Sequence, residues 1–136
     1  MGSTFQNFEN YLYSVPELES VCDVVLNLDD QMRSSGIISD KGKILAWKVK
    51  QGIQSVLSQA DRDMLLMETA LGVRMRKEQD SQLGSENFTL SYGYNVIFMT
   101  FPMVCGVLCV SAEKQIDMTK IPFLILSIVK KSTTWK

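Results

Sequence analysis

The sequence predicts an α+β domain: a five-stranded antiparallel sheet flanked by helices, in the order α-β-β-α-β-β-β-α. Three observations lead there. Residues 88–113, FTLSYGYNVIFMTFPMVCGVLCVSAE, are rich in β-branched and aromatic residues and carry no charge before Glu113, which reads as three successive antiparallel strands. Residues 36–49, GIISDKGKILAWKV, place strand formers on both sides of Ser39-Asp40-Lys41-Gly42. That is a hairpin turn, with Gly free to take positive φ and Asp able to bond its own backbone. The segments near 16–30, 59–78 and 119–131 instead repeat their apolar residues at helical spacing.

In chain order, residues 1–15 are polar with scattered aromatics. Phe5, Phe8 and Leu12 fit either a short amphipathic helix or a segment that orders only against a neighbour. Ser14 followed by Pro16-Glu17 marks a helix start, with a capping side chain, Pro in the first turn and acid at the positive end. Leu18, Val21, Cys22, Val25 and Leu28 then give an apolar face over 16–30. The hairpin's second strand alternates Lys43, Lys48 and Lys50 with apolar residues. Such charges suit a solvated edge strand that resists edge-to-edge pairing; a basic contact surface is the alternative.

A connector over 51–57 leads to Ser58-Gln59-Ala60-Asp61, a capping box, and to a helix over 59–78. Met64, Met67, Leu71 and Met75 form one stripe of that helix, and Leu66, Ala70 and Val73 an adjacent one. Together they make an apolar face broader than one sheet contact needs. Arg74, Arg76 and Lys77 complement the negative helix end. Phe88, Leu90 and Tyr92 alternate with Thr89 and Ser91, as in a half-buried edge strand. Val96–Phe101 is apolar nearly throughout, which predicts cover on both faces, with Pro102 ending the strand or lying at an edge. Thr119 caps a last helix whose face is Ile121, Leu124, Ile125 and Ile128, flanked by Phe123 and Leu126. One domain thus spans 16–131, with residues 132–136 as a frayed tail.

Composition narrows function. A net charge of −1 gives no global field to hold nucleic acid. The chain has no His, so the commonest metal ligand and general base is absent. Three Cys argue against a closed disulfide framework and for a reducing compartment. Cys105 and Cys109 lie too far apart for a Cys-x-x-Cys pair and read, like Cys22, as core thiols. Asp29-Asp30, Asp61-Asp63 and Glu113 with Asp117 are explained by capping and solubility. Tyr92 and Tyr94 read as cross-strand partners before they read as a stacking platform. No apolar run reaches membrane-span length and no signal peptide is visible, so the expected location is the cytoplasm, without membrane insertion. No catalytic residue, cofactor or metal ligand is assigned, and the expectation is that the chain is not an enzyme.

The element order over 16–131 and the phrase Ile37–Ala46, IISDKGKILA, resemble the Roadblock/dynein light chain family, as does the three-stranded meander followed by an amphipathic helix. The run Arg62–Met75, RDMLLMETALGVRM, is also similar to segments of small archaeal proteins. The resemblance implies α/β/α layers of Roadblock/profilin type. It further implies a homodimer that joins two sheets through the central helix and the adjacent meander strand. It implies a non-enzymatic scaffold, a regulator of a small GTPase, or a subunit of a larger complex. For self-association the expected residues are Met64, Met67, Leu71, Met75, Phe88, Leu90 and Tyr92. The alternative is a small-molecule sensor of profilin/PAS-like shape, with a pocket between sheet and helix lined by Trp47, Met99 and Phe101.

Overall fold

The structure, a computed structural model, describes residues 14–134. Helix α1 is Val15–Leu26, strand β1 Met32–Ile38, strand β2 Ile44–Val49 and helix α2 Gln59–Arg76. A 3-10 turn over Lys77–Gln79 runs into a short helix α3, Asp80–Leu83. The meander follows as β3 Thr89–Tyr92, β4 Ile97–Met103 and β5 Gly106–Ala112, and helix α4, Ile121–Thr134, completes the fold. The expected extension therefore lies outside the described residues except for Ser14 and Val15. The segment read as a tail is helical as far as Thr134.

All five strands form one antiparallel sheet in the order β2-β1-β5-β4-β3. The hairpin and the meander join where β1 pairs with β5, Gly36 opposite Cys109. The most apolar strand, β5, is thereby central, while β2 and β3 are the edges. Because side chains alternate across a strand, β1, β2, β4 and β5 feed two separate cores, whereas β3 reaches only the larger one. Helix α1 lies over β1 and β2, α4 lies over β4, and both are on one face. There Leu18, Cys22 and Val25 of α1 and Ile121, Ile125 and Val129 of α4 enclose Ile37, Met99, Phe101, Leu108 and Val110. The other face has a smaller core, in which Leu66 and Ala70 of α2 meet Ile38, Val107 and Cys109.

Several local expectations change for stated reasons. Helix α1 stops at Leu26, earlier than 30, because Asn27 leaves helical geometry and caps it on the Asp23 carbonyl. Its start is a full capping box: Ser14 Oγ accepts from Glu17 N–H, and Glu17 Oε1 accepts from Ser14 N–H. At α2 only half of the box forms, with Ser58 Oγ accepting from Asp61 N–H at 3.1 Å. Strand β4 is not covered on both faces. Ile97, Met99, Phe101 and Met103 are buried beneath α4, whereas Phe98 and Thr100 are only half-covered. Pro102 lies inside β4, opposite Val107, but β3 reaches only as far as Thr100. Proline's missing N–H is therefore tolerated where β4 has no neighbour on that side. Helix α4 buries Ile121, Pro122, Ile125 and Val129, leaving Phe123 and Leu124 exposed. Its lead-in is tied by Asp117, not Thr119: Asp117 Oδ1 accepts from Thr119 N–H at 2.9 Å and from Thr119 Oγ1 at 2.5 Å. These bonds, the hydroxyl first, hold the Asp117 carboxyl below its ordinary range.

Two glycines set how the hairpin meets its neighbours. Gly42 has φ +84° at the turn, and a Cβ there would stand 2.8 Å from Met67 Cα, so the turn rests directly on the α2 backbone. At Gly36 a Cβ would overlap the Trp47 ring at 1.9 Å. The indole occupies this space only because that position has no side chain.

Candidate functional site

Helix α2 presents apolar residues on opposite sides, a consequence of 3.6 residues per turn. Leu66 and Ala70 point into the sheet; Met64, Met67, Leu71 and Met75 point away from it. The two stripes therefore do not merge into one broad face. The outer four side chains are 61%, 62%, 48% and 58% exposed respectively. Scattered exposed apolar residues are normal, but four on one helical line are a patch. Lys41, Asp63, Glu68 and Arg74 border it, so both charge signs flank the apolar strip. At the helix end Arg76 pairs with Asp80 at 2.9 Å and donates to the Gly84 carbonyl, chemistry of the helix terminus.

The other predicted contact residues lie elsewhere. Phe88 precedes β3 and turns toward α4, its ring 5.4 Å from those of Phe101 and Phe123. Leu90 packs against the same larger core. Neither side chain is brought together with the methionine stripe. Tyr92 is exposed, with Lys114 Nζ 5.1 Å from its ring and 5.3 Å from the ring of Tyr94. The two tyrosines thus hold a lysine and do not pair across strands. Thr89 and Ser91 face the α2 side, where with Thr69, Gly72, Val73 and Arg76 they line an open cleft of about 430 Å³. Strand β3 is at the sheet margin, and α2 leaves this corner uncovered.

A second cavity, of about 380 Å³, lies between the start of α2, the connector before it and the sheet. Trp47, Val49, Ile53, Val56, Leu57, Leu65, Leu66, Val96 and Phe98 supply its apolar lining, and Arg33, Arg62, Ser34, Ser55 and Ser111 its polar groups. Arg33 is committed to Glu113 at 2.7 Å and to the Gln54 carbonyl at 2.8 Å. Ser34 and Ser111 share a hydrogen bond of 2.5 Å. The pocket expected from Trp47, Met99 and Phe101 does not exist in that form. Met99 and Phe101 are wholly buried on the opposite face, because strand alternation sends them toward α4. Arg62 and the connector escaped sequence reasoning. The usable signal was a charged residue four positions before Leu66, on the inward arc of the helix.

The remaining candidates have structural roles. Cys22, Cys105 and Cys109 are buried thiols outside any disulfide. Burial pushes Cys22 up to about 12, opposed by the Ser35 hydroxyl, and pushes Cys109 up to about 12 as well. Asp29 accepts from the Gln31 N–H in a local turn, and Glu113 is held by Arg33. Among the described residues no group of three or more His, Cys, Asp or Glu could hold a metal ion. Among them, too, no helix is long and apolar enough to cross a membrane.

The arrangement is that of known Roadblock structures. A Roadblock/LC7 domain from Streptomyces avermitilis superposes with a TM-score of 0.65 at 11% identity, over 87% of this chain and 96% of that one. Myxococcus xanthus MglB gives 0.69 at 15% identity, over 91% and 92%. An MglB with a tetrameric arrangement gives 0.63 at 14% identity, over 89% and 95%. At these identities the likeness establishes the fold. No curated protein matches the chain by sequence. Residues 12–136 match the family described as "Family of unknown function (DUF6659)", and the chain belongs to that family, on a Roadblock fold.

Proposed function

We propose that the chain is a non-enzymatic interaction module that pairs with a second copy of itself and presents the resulting surface to another protein. The observation that carries this is the outer stripe of α2. Four large apolar side chains, three of them Met, occupy the helical line that should be most polar on a solvated helix. Flexible thioethers suit a contact surface that must adapt. Acids and bases both flank the stripe, so a two-fold arrangement would set the acids of one copy against the bases of the other. Strand β3, at the margin beside the open cleft, is the edge that a second sheet would extend. Tyr92 borders that edge; Phe88 and Leu90 support it from inside.

Each outer side chain is already about half covered, so burying the rest is worth half of the roughly 1.5–3 kcal/mol of a fully exposed one, before the cost of association. The unmodified protein is therefore expected to have twice the chain mass by multi-angle light scattering, and Leu71→Asp to give a folded monomer. A variant of unchanged mass would overturn the pairing. The Roadblock resemblance supports a small GTPase as the protein partner, with the module acting as regulator or scaffold. Titrating the host's small GTPases, loaded with GDP or a GTP analogue, into the protein tests this. Failure of every one to bind would remove that partner class and leave self-association standing.

A further inference from the structure

The cavity beneath the start of α2 lies between that helix, the connector and the sheet, and shares no residue with the outer stripe of the proposed pairing. Its volume, about 380 Å³, falls within the range of small-molecule sites. Its walls are mostly apolar, and Trp47 and Phe98 add aromatic surface.

Its charges are unevenly satisfied. Arg33 is neutralised by Glu113 and tied to Gln54. Arg62 is different: among the described residues it makes no ion pair, and its buried Nε–H has no acceptor. Its guanidinium instead lies 5.8 Å from the centre of the Trp47 ring. A buried donor without an acceptor is costly, and such groups are rare in folded proteins. Ser34 and Ser111 share one hydrogen bond between two hydroxyls, so that pair keeps one O–H available for donation.

From this geometry we infer that the cavity is a binding site for a small amphiphilic monocarboxylate. The apolar body lies against Trp47, Leu66 and Phe98, and the carboxylate accepts from Arg62. One uncompensated cation sets the ligand charge at one, and the apolar lining excludes strongly hydrated anions such as inorganic phosphate. The connector residues Val56 and Leu57, both substantially exposed, form the mouth.

The chain has two tryptophans, so Trp135→Phe leaves Trp47 as the sole indole reporter. Octanoate titrated into that protein is expected to change Trp47 emission saturably. It should bind at least tenfold more tightly than octylammonium or octanol, which share the alkyl body but lack the negative charge. Arg62→Gln should weaken octanoate at least tenfold, with Arg62→Lys intermediate. Val49→Phe, which fills the cavity wall, should abolish the saturable change. Any of three results overturns the site: no saturable response to octanoate, equal affinity for octylammonium, or unchanged affinity in Arg62→Gln or Val49→Phe. The comparison among the three ligands needs no cavity variant, so it stands even if those substitutions impair folding.

Discussion

Single residues here are constrained most where the backbone comes close to another element. Gly42 combines left-handed φ with contact against α2, so Gly42→Ala meets both conformational strain and a backbone neighbour. Denaturant unfolding should show a loss of about 1–3 kcal/mol. The buried thiols make a second prediction at this scale. Their native pKa is raised, so in the window from the ordinary thiol value of 9 to about 12 the unfolded chain releases protons that the native chain retains. Stability from this source is complete below pH 9 and falls as pH rises toward 12. Alkaline titration of the melting temperature should therefore descend over that window. Cys22→Ala, though less stable at neutral pH, should descend less steeply; an identical slope would contradict it.

Among the elements, α2 is the least anchored long helix. Only Leu66 and Ala70 of its 18 residues are buried, and one side looks onto a cavity while another faces an open cleft. Few buried contacts mean a low local opening energy. Amide exchange should be faster in Gln59–Arg76 than in α1 or α4 when the protein is monomeric, as in Leu71→Asp. At concentrations that favour self-association, the same amides should slow in the unmodified protein. Equal exchange in both would place the contact on another element.

For the molecule as a whole, the sheet separates a large core from a small one. Phe101 is wholly buried in the larger core and touches Phe88 at the approach to β3. Phe101→Ala should cost about 3–5 kcal/mol in thermal or denaturant melts. It should also lower self-association, because the β3 margin loses its internal support. The smaller core leaves space beside it, and both the cavity and the cleft lie on that face. The face that contributes least to stability is thus the one with room for a ligand and a partner.

How much of this was legible in the chain differs from feature to feature. The element order, the Ser39–Gly42 turn and the helix start at Ser14 follow from local periodicity, capping and turn chemistry, which act over a few residues and can be read without the rest of the molecule. The likeness of IISDKGKILA and the meander to the Roadblock pattern identified the architecture. The angle between the two stripes of α2 follows from the helical period, but which of them is buried depended on which arc the sheet occupies. Phe88 and Leu90 turned inward because α4 packs over that corner, and Met99 and Phe101 parted from Trp47 because the pleat assigns neighbouring residues to opposite faces. Arg62 became notable only when Trp47, Phe98 and the connector closed around it. By itself the sequence determined the elements and their order. Tertiary structure alone decided which side of each element is buried, because burial is set by contacts between residues far apart in the chain.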